Sequence, residues 1–254
     1  MDSFDSRANK YSSERVGLYD RALAQVPDAR FQEREHLISR LNLKDGLSVC
    51  DVSAGTGYLS DGINDHLQGQ VSITCVENSQ AFVELLKPKY RTVKSSLTGI
   101  DVADCSFDRV GTLAGVHHQQ DKVAFYQEAH RILRPGGRLV IGDVLEGSPP
   151  ARFLNGPVDI YSDIGHDGMF LREREISADL KQAGFGDMQE TVEHYTWRFP
   201  DEQTLIVYCK NLFRMTKATL QQVSSAISEH LKVTHDTNGC YLHWQLLFVT
   251  ADKN

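Results

Sequence analysis

The chain has 254 residues, 41% hydrophobic and 24% charged, an ordinary globular composition with enough length for an α/β domain and a sizeable core. Its 34 acidic against 27 basic residues leave a net charge of -7, which speaks against a phosphate-backbone partner, since such proteins carry a basic stripe; the nearest approach, Lys87-Pro88-Lys89-Tyr90-Arg91, reads as the solvated end of a helix. No run of about 18 apolar residues and no cationic-then-apolar start is present, and the five cysteines form no C-x-x-C pair, so the expectation is a cytoplasmic protein without a membrane partner.

In chain order, residues 1–29 are largely polar with scattered aromatics, Tyr11 and Tyr19 among them, and read as a lid. A helix follows from Arg30 to Leu41, with Phe31, Leu37, Ile38 and Leu41 on nearby faces. Leu47 to Val52 is the first strand. It leads into Asp51-Val52-Ser53-Ala54-Gly55-Thr56-Gly57, a small-residue loop, and then into a helix from Tyr58 to Leu67. Glycines at 55 and 57 let the backbone turn sharply and approach a ligand, and the helix start offers unpaired N–H groups. A dinucleotide fingerprint counted from Gly55 fails at its third position, where Ser60 stands. An ordinary glycine turn is the competing reading of the loop taken alone.

Val71 to Val76 is the second strand and ends in Glu77, about 20 residues past the loop, where a carboxylate can accept hydrogen bonds from both hydroxyls of a ribose. A helix from Ala81 to Leu86, a third strand from Tyr90 to Lys94 and a fourth from Phe107 to Leu113 follow. The helix Asp121 to Leu133 stops at Arg134-Pro135-Gly136-Gly137-Arg138, and Leu139 to Val144 is a buried fifth strand. Five strands alternating with helices predict a parallel, doubly wound sheet. The pattern then loosens from Glu146 to Met169, with a helix near Glu173 to Ala183, a sixth strand from Thr191 to Phe199, two helices between Pro200 and about Lys232, and a final strand from Tyr241 to Thr250.

Side chains for proton transfer fall near the carboxyl ends of the strands. His117 and His118 follow the fourth strand and Asp143 ends the fifth; Tyr161, His166 and Asp167 lie in the loosened segment, and Tyr11 in the lid. Histidine titrates near neutral pH and can take a proton from a hydroxyl or an ammonium, though a hydrogen-bonded structural role competes for each. His166-Asp167-Gly168 reads equally as a turn. A metal site built from His117, His118, Asp143 and His166 is conceivable, but no motif fixes its ligands on one element, so no metal is expected. Tyr195, Trp197 and Phe199 share one face of the sixth strand, as core or as a cage for a cation.

Taken together, Asp51, Gly55 and Gly57, Glu77, Phe107-Asp108 and the run Arg131 to Leu139 resemble the small-molecule branch of class I S-adenosylmethionine (SAM)-dependent methyltransferases, the group with the ubiquinone and menaquinone biosynthesis enzymes. The resemblance covers roughly residues 30 to 145. The loop matches D-x-G-x-G-x-G except that Ser53 replaces the first glycine. What the resemblance implies is a Rossmann-like, doubly wound α/β sheet of seven strands with the last antiparallel, an N-terminal lid and a helical insertion before the last strand. It implies S-adenosyl-L-methionine as cofactor and S-adenosyl-L-homocysteine as product, held by Asp51, Ser53, Ala54, Gly55, Thr56, Gly57 and Leu113. Glu77 would take the ribose and Asn78 would flank the adenine. Ser95 and Ser96 stand where an acid often holds the adenine amine, with Asp101 as a fallback.

The implied organisation is a single domain over 1–254, with a lid at 1–29 and acceptor-site insertions at 146–171 and 200–232. Methyl transfer from a sulfonium has a good leaving group already. The enzyme aligns the acceptor and excludes water, and needs a base only where the acceptor carries a proton. Leu113-Ala114-Gly115-Val116 lacks the Asp/Asn-Pro-Pro-aromatic run of the amino-directed nucleic-acid enzymes, so the expected acceptor is a small molecule, methylated at O, N or C. Two alternatives stay open: an enzyme using SAM without methyl transfer, a cyclase or lyase, and a non-catalytic binding module on the same fold.

Overall fold

The computed structural model describes residues 13–254, and Tyr11 of the expected lid lies outside them. Val49, Cys50, Val52, Cys75, Val76 and Val110 are wholly shielded from solvent, as parallel strands covered on both faces must be. They belong to β1 (Ser48–Val52), β2 (Ser72–Glu77) and β4 (Phe107–Leu113), joined by β3 (Arg91–Lys94) and β5 (Leu133–Asp143) in one parallel array. β8 (Gly239–Asp252) runs antiparallel to β5, pairing Arg138 with Asp252 through to Asp143 with Leu247. The order is β3-β2-β1-β4-β5-β8-β6, with β6 spanning Gly186–Phe199. The seven-stranded order with an antiparallel last strand matches expectation.

An eighth strand, β7 (Val233–Asp236), pairs with β8 as a hairpin. Four residues with the sequence Val-Thr-His-Asp carry too little apolar pattern to announce a strand.

The chain divides into two compact units. One comprises Arg34–Asp143, Met169–Glu193 and Leu246–Asn254. Its helices are most of α2 (Phe31–Leu41), α3 (Tyr58–His66), α4 (Gln80–Leu86), α5 (Lys122–Ile132) and α7 (Glu175–Gln182), the last numbered after α6 of the other unit. α5 starts where Asp121 accepts from the Ala124 N–H, and buries Phe125, Tyr126, Ala129 and Ile132 along one face. It runs directly into β5, so the Pro-Gly-Gly turn becomes a bulge inside the strand. Phe107 pairs with Leu133 and Arg109 with Arg138, and residues 134–137 loop out between them. A Cβ on Gly137 would meet the Arg134 carbonyl oxygen at 2.7 Å, which only glycine avoids.

The other unit comprises the chain up to Glu33, Val144–Gly168 and His194–Gln245. It holds α1 (Ser13–Gln25), α6 (Pro149–Phe153), α8 (Glu202–Leu212) and α9 (Leu220–His230), and α1 packs on α8. The segment expected to be irregular is largely helical. α6 continues through a π turn, Leu154–Val158, into a last turn, Asp159–Tyr161. Ser148 caps it by accepting from the Ala151 N–H, and Pro149 and Pro150 occupy the first positions, where a missing N–H costs nothing. Inside this unit Trp197 stacks on Trp244 at 4.5 Å, and Tyr195 and Trp197 both donate to Glu33 Oε2 at 3.0 Å. The cation over Trp197 is the protein's own Arg30 guanidinium, 5.1 Å from the ring centre, so these aromatics form core.

Candidate active site

The order of the parallel strands reverses between β1 and β4, and open α/β sheets bind ligands beyond the carboxyl ends of the strands at such a switch point. Both strands end here in left-handed, non-glycine residues: Ser53 with φ 59° after β1 and Ala114 with φ 53° after β4. Each costs of order 1 kcal/mol, strain of the kind that gathers at functional sites.

The loop after β1 assigns its two glycines different tasks. Gly55 (φ 55°) would carry a Cβ into open space, so its missing side chain leaves the loop surface bare for a ligand. Gly57 (φ 88°) starts α3, and a Cβ there would press Leu86 Cδ2 at 3.0 Å and Tyr90 Cε2 at 3.4 Å; packing requires this glycine. Ala54 is buried and its N–H donates to the Val76 carbonyl at 3.3 Å, tying the loop to β2.

Asp51 faces inward. It is 1% exposed, and Oδ2 accepts from the Ser60 N–H at 3.1 Å and from Ser60 Oγ at 2.6 Å, clamping the first turn of α3. Burial pushes its pKa up to about 7 against the pull of the Ser60 bonds. Glu77, at the end of β2, accepts from three backbone N–H groups: Gly55 on Oε2 at 3.1 Å, and Asn78 and Ser79 on Oε1 at 2.9 and 3.0 Å. Burial raises its pKa and the three bonds lower it. Three of the carboxylate's roughly four acceptor positions are thus in use.

The loop after β3 is tied to α5, where Glu128 Oε2 accepts from the Ile100 N–H at 2.7 Å and Arg131 donates to the Ile100 carbonyl at 2.7 Å. Ser95 Oγ donates to the Gly99 carbonyl at 2.6 Å and accepts from the Asp101 N–H at 3.1 Å, while Ser96 is exposed and bridges to Gly99. The Ser95 hydroxyl shapes this loop. Asn78 is half-buried beside Glu77.

After β4, the short turn Val116–His118 brings His117 onto Asp143. Asp143 is fully buried; Oδ2 accepts from the Val116 and His117 N–H groups at 2.7 and 3.0 Å, and Oδ1 lies 2.6 Å from His117 Nδ1. A carboxylate only accepts, so Nδ1 carries the proton and Nε2 is the acceptor nitrogen of this tautomer. His118 is exposed and lies against the His117 ring, centroids 4.1 Å apart. Leu113, half-buried, ends β4. His166 belongs to the other unit, where Nδ1 lies 2.8 Å from Asn155 Oδ1. The Asn155 amide orientation is set by Gly168, whose N–H it accepts and whose carbonyl it binds, so His166 Nδ1 is the donor.

Residues 50–141 match the family described as "Methyltransferase domain", a stretch that contains the ends of β1, β2, β3 and β4 and stops just before Asp143. The chain is 28% identical over 191 residues to the 27-O-demethylrifamycin SV methyltransferase of Amycolatopsis mediterranei, covering 71% of this chain and 69% of that one. It is 27% identical over 161 residues to a ubiquinone/menaquinone biosynthesis C-methyltransferase of Geobacter sp., covering 60% and 64%. Over residues 50–141 the chain is similar to SAM-dependent small-molecule methyltransferases. The fold agrees with a crystal structure from Thermotoga maritima described as a SAM-dependent methyltransferase, possible histamine N-methyltransferase: TM-score 0.64 at 16% identity, covering 95% of this chain and 98% of that one.

The residues present fit the cofactor. Around the loop, Thr56 Oγ1 and Ser79 Oγ are buried with no hydrogen-bond partner among the described residues, and Gly55, just before Thr56, leaves bare backbone. Buried hydroxyls of this kind call for a polar ligand or ordered water. Sequence reasoning missed Ser60, Ser79, Ala114 and Gly115. A Cβ on Gly115 would lie 2.5 Å from the Ser53 Cβ, so this glycine answers the serine that departs from the family loop.

Proposed function

We propose that the acceptor is a small cytoplasmic metabolite, neither nucleic acid nor membrane component, that presents an ionisable O–H or N–H, and that His117 is its general base. The carrying observation is the His117–Asp143 pair at 2.6 Å. Asp143 is a positioning residue: its carboxylate and the two backbone N–H groups it accepts hold one imidazole tautomer. SAM, when bound, supplies an electrophilic methyl group on a sulfonium. His117 Nε2 then takes the acceptor proton, which leaves the lone pair on oxygen or nitrogen for attack. Cofactor contacts are assigned to Ser53, Ala54, Gly55, Thr56, Gly57, Glu77, Asn78, Ser96 and Leu113, with Asp51 and Ser95 supporting their loops. The chain works as one functional domain in this reading, with acceptor selection assigned to 1–29, 146–171 and 200–232.

The rifamycin relative is named for an O-methyl transfer, which supports a hydroxyl acceptor here. The test is His117→Ala and Asp143→Asn, with turnover and SAM affinity measured separately. In the Asn variant the amide oxygen faces the two backbone donors and the amide NH2 faces Nδ1. That forces the proton to Nε2 and removes the base without removing the ring. Both variants are expected to lose about 10²- to 10⁴-fold in kcat with SAM affinity unchanged. A kcat within a few fold of wild type in either variant contradicts the assignment.

A further inference from the structure

Arg214 sits in the turn after α8 as a buried, strained and under-partnered cation. It is 6% exposed and left-handed at φ 51°, a conformation that favours glycine. Its NH2 group donates to Asp163 Oδ2 at 2.7 Å, while Nε and NH1 are buried with no hydrogen-bond partner among the described residues. A guanidinium cannot discharge itself by losing a proton, and buried N–H groups left unmade are costly. The turn does not need these two nitrogens to hold its shape. Residues 161–163 are already tied to it by the Lys217 N–H on the Tyr161 carbonyl at 3.0 Å and Lys217 Nζ on the Ser162 carbonyl at 2.7 Å.

The charge balance of the turn is positive. Lys210 spends its ammonium on the Met215 and Ala218 carbonyls and Lys217 on that of Ser162, so two of three neighbouring cations are met by neutral oxygens. Asp163, the carboxylate that meets Arg214, is 42% exposed.

We propose that Arg214 binds an oxyanion, a carboxylate or phosphate carried by the methyl acceptor, with Asp163 as the exchangeable partner that occupies the guanidinium in its absence. Arg214 and Asp163 come one each from the two segments assigned to acceptor selection, 200–232 and 146–171, and in that respect the inference rests on the proposed function. An oxyanion supplies the acceptor oxygens that Nε and NH1 lack, and planar guanidinium donors suit carboxylate and phosphate alike.

The experiment is thermal unfolding of the whole protein, without SAM, in sodium phosphate and in sodium chloride of equal ionic strength. At ten times its Kd, phosphate is expected to raise Tm over the chloride control by about 3–6 °C. Asp163→Asn, at an exposed position, removes the competing anion and is expected to bind phosphate more tightly. Arg214→Lys, which keeps the charge and loses the fork, is expected to abolish the shift. Equal Tm in both salts for wild type and for Asp163→Asn overturns the proposal, whether or not the Arg214 variant folds. Phosphate is also expected to raise the KM of the acceptor competitively; binding that leaves KM unchanged means a free anion occupies the site, and the acceptor assignment falls. Loss of SAM binding would sink the methyltransferase reading and leave the phosphate shift intact, so the two failures are distinct.

Discussion

Ser53 and Gly115 show how one substitution in a loop is carried by another residue on the next strand. Ser53 occupies a position where the family pattern has glycine, at a φ of 59°, and its Cβ fills the space a Cβ on Gly115 would need. Gly115→Ala is expected to cost about 1–3 kcal/mol in the native background, the usual range for overpacking. In Ser53→Gly the same change is expected to cost far less, because the 2.5 Å clash is with the Ser53 Cβ and the next neighbour, Thr112 Oγ1, stands at 3.5 Å. Urea denaturation of the four proteins in this double-mutant cycle measures the coupling, expected at about 1 kcal/mol or more; additive costs would refute it. At this scale Asp51, Gly55, Gly57 and Glu77 stood out in the sequence because together, in order, they match a known loop pattern, whereas each alone has an ordinary structural reading. The sequence did not display direction. That Asp51 turns inward depends on Ser60, and that Glu77 is met by three N–H groups depends on how the loops close, neither of which a spacing encodes.

The clamp between β1 and α3 makes an element-scale prediction. Asp51 is fully buried at the end of β1 and its pKa is pushed up to about 7, from an ordinary value of 3.8. The folded state therefore holds its proton more tightly than the unfolded chain does. The contribution to stability is complete below about pH 4 and is lost as pH rises through about 7. Asp51→Asn keeps an oxygen for the Ser60 N–H and cannot ionise. Relative to wild type it is expected to gain stability as pH rises from 4 to 7, by on the order of 4 kcal/mol at most. Chemical unfolding of both proteins across that range checks it, and a pH-independent difference contradicts it. The elements themselves were largely legible: β1 to β4 and the crossover helices fall within a few residues of expectation, since alternating buried runs leave a strong pattern. The helix from Pro149 to Tyr161 was hidden because its own capping prolines and Gly156 read as breakers. β5 begins six residues earlier than expected, at Leu133 against Leu139, because a Pro-Gly-Gly turn and a Pro-Gly-Gly bulge have the same sequence.

For the whole molecule, the proposed cofactor contacts fall in one compact unit: β1, β2, β4 and the loops after them lie within Arg34–Asp143, as does the His117–Asp143 pair. The family match at 50–141 covers most of this core, ending before Asp143, and does not reach 146–171 or 200–232. Fold and cofactor were therefore readable from motifs, whereas the proposed base and the segments proposed for acceptor choice carry none. Among the described residues no helix is long and apolar enough to cross a membrane. The central claim is that this chain binds SAM, and the most direct test is calorimetric titration of the whole protein with SAM and with S-adenosylhomocysteine. Both are expected to bind at micromolar levels, roughly -8 kcal/mol, with one site per chain. Absence of heat and of any competition by either ligand would contradict the account at its base.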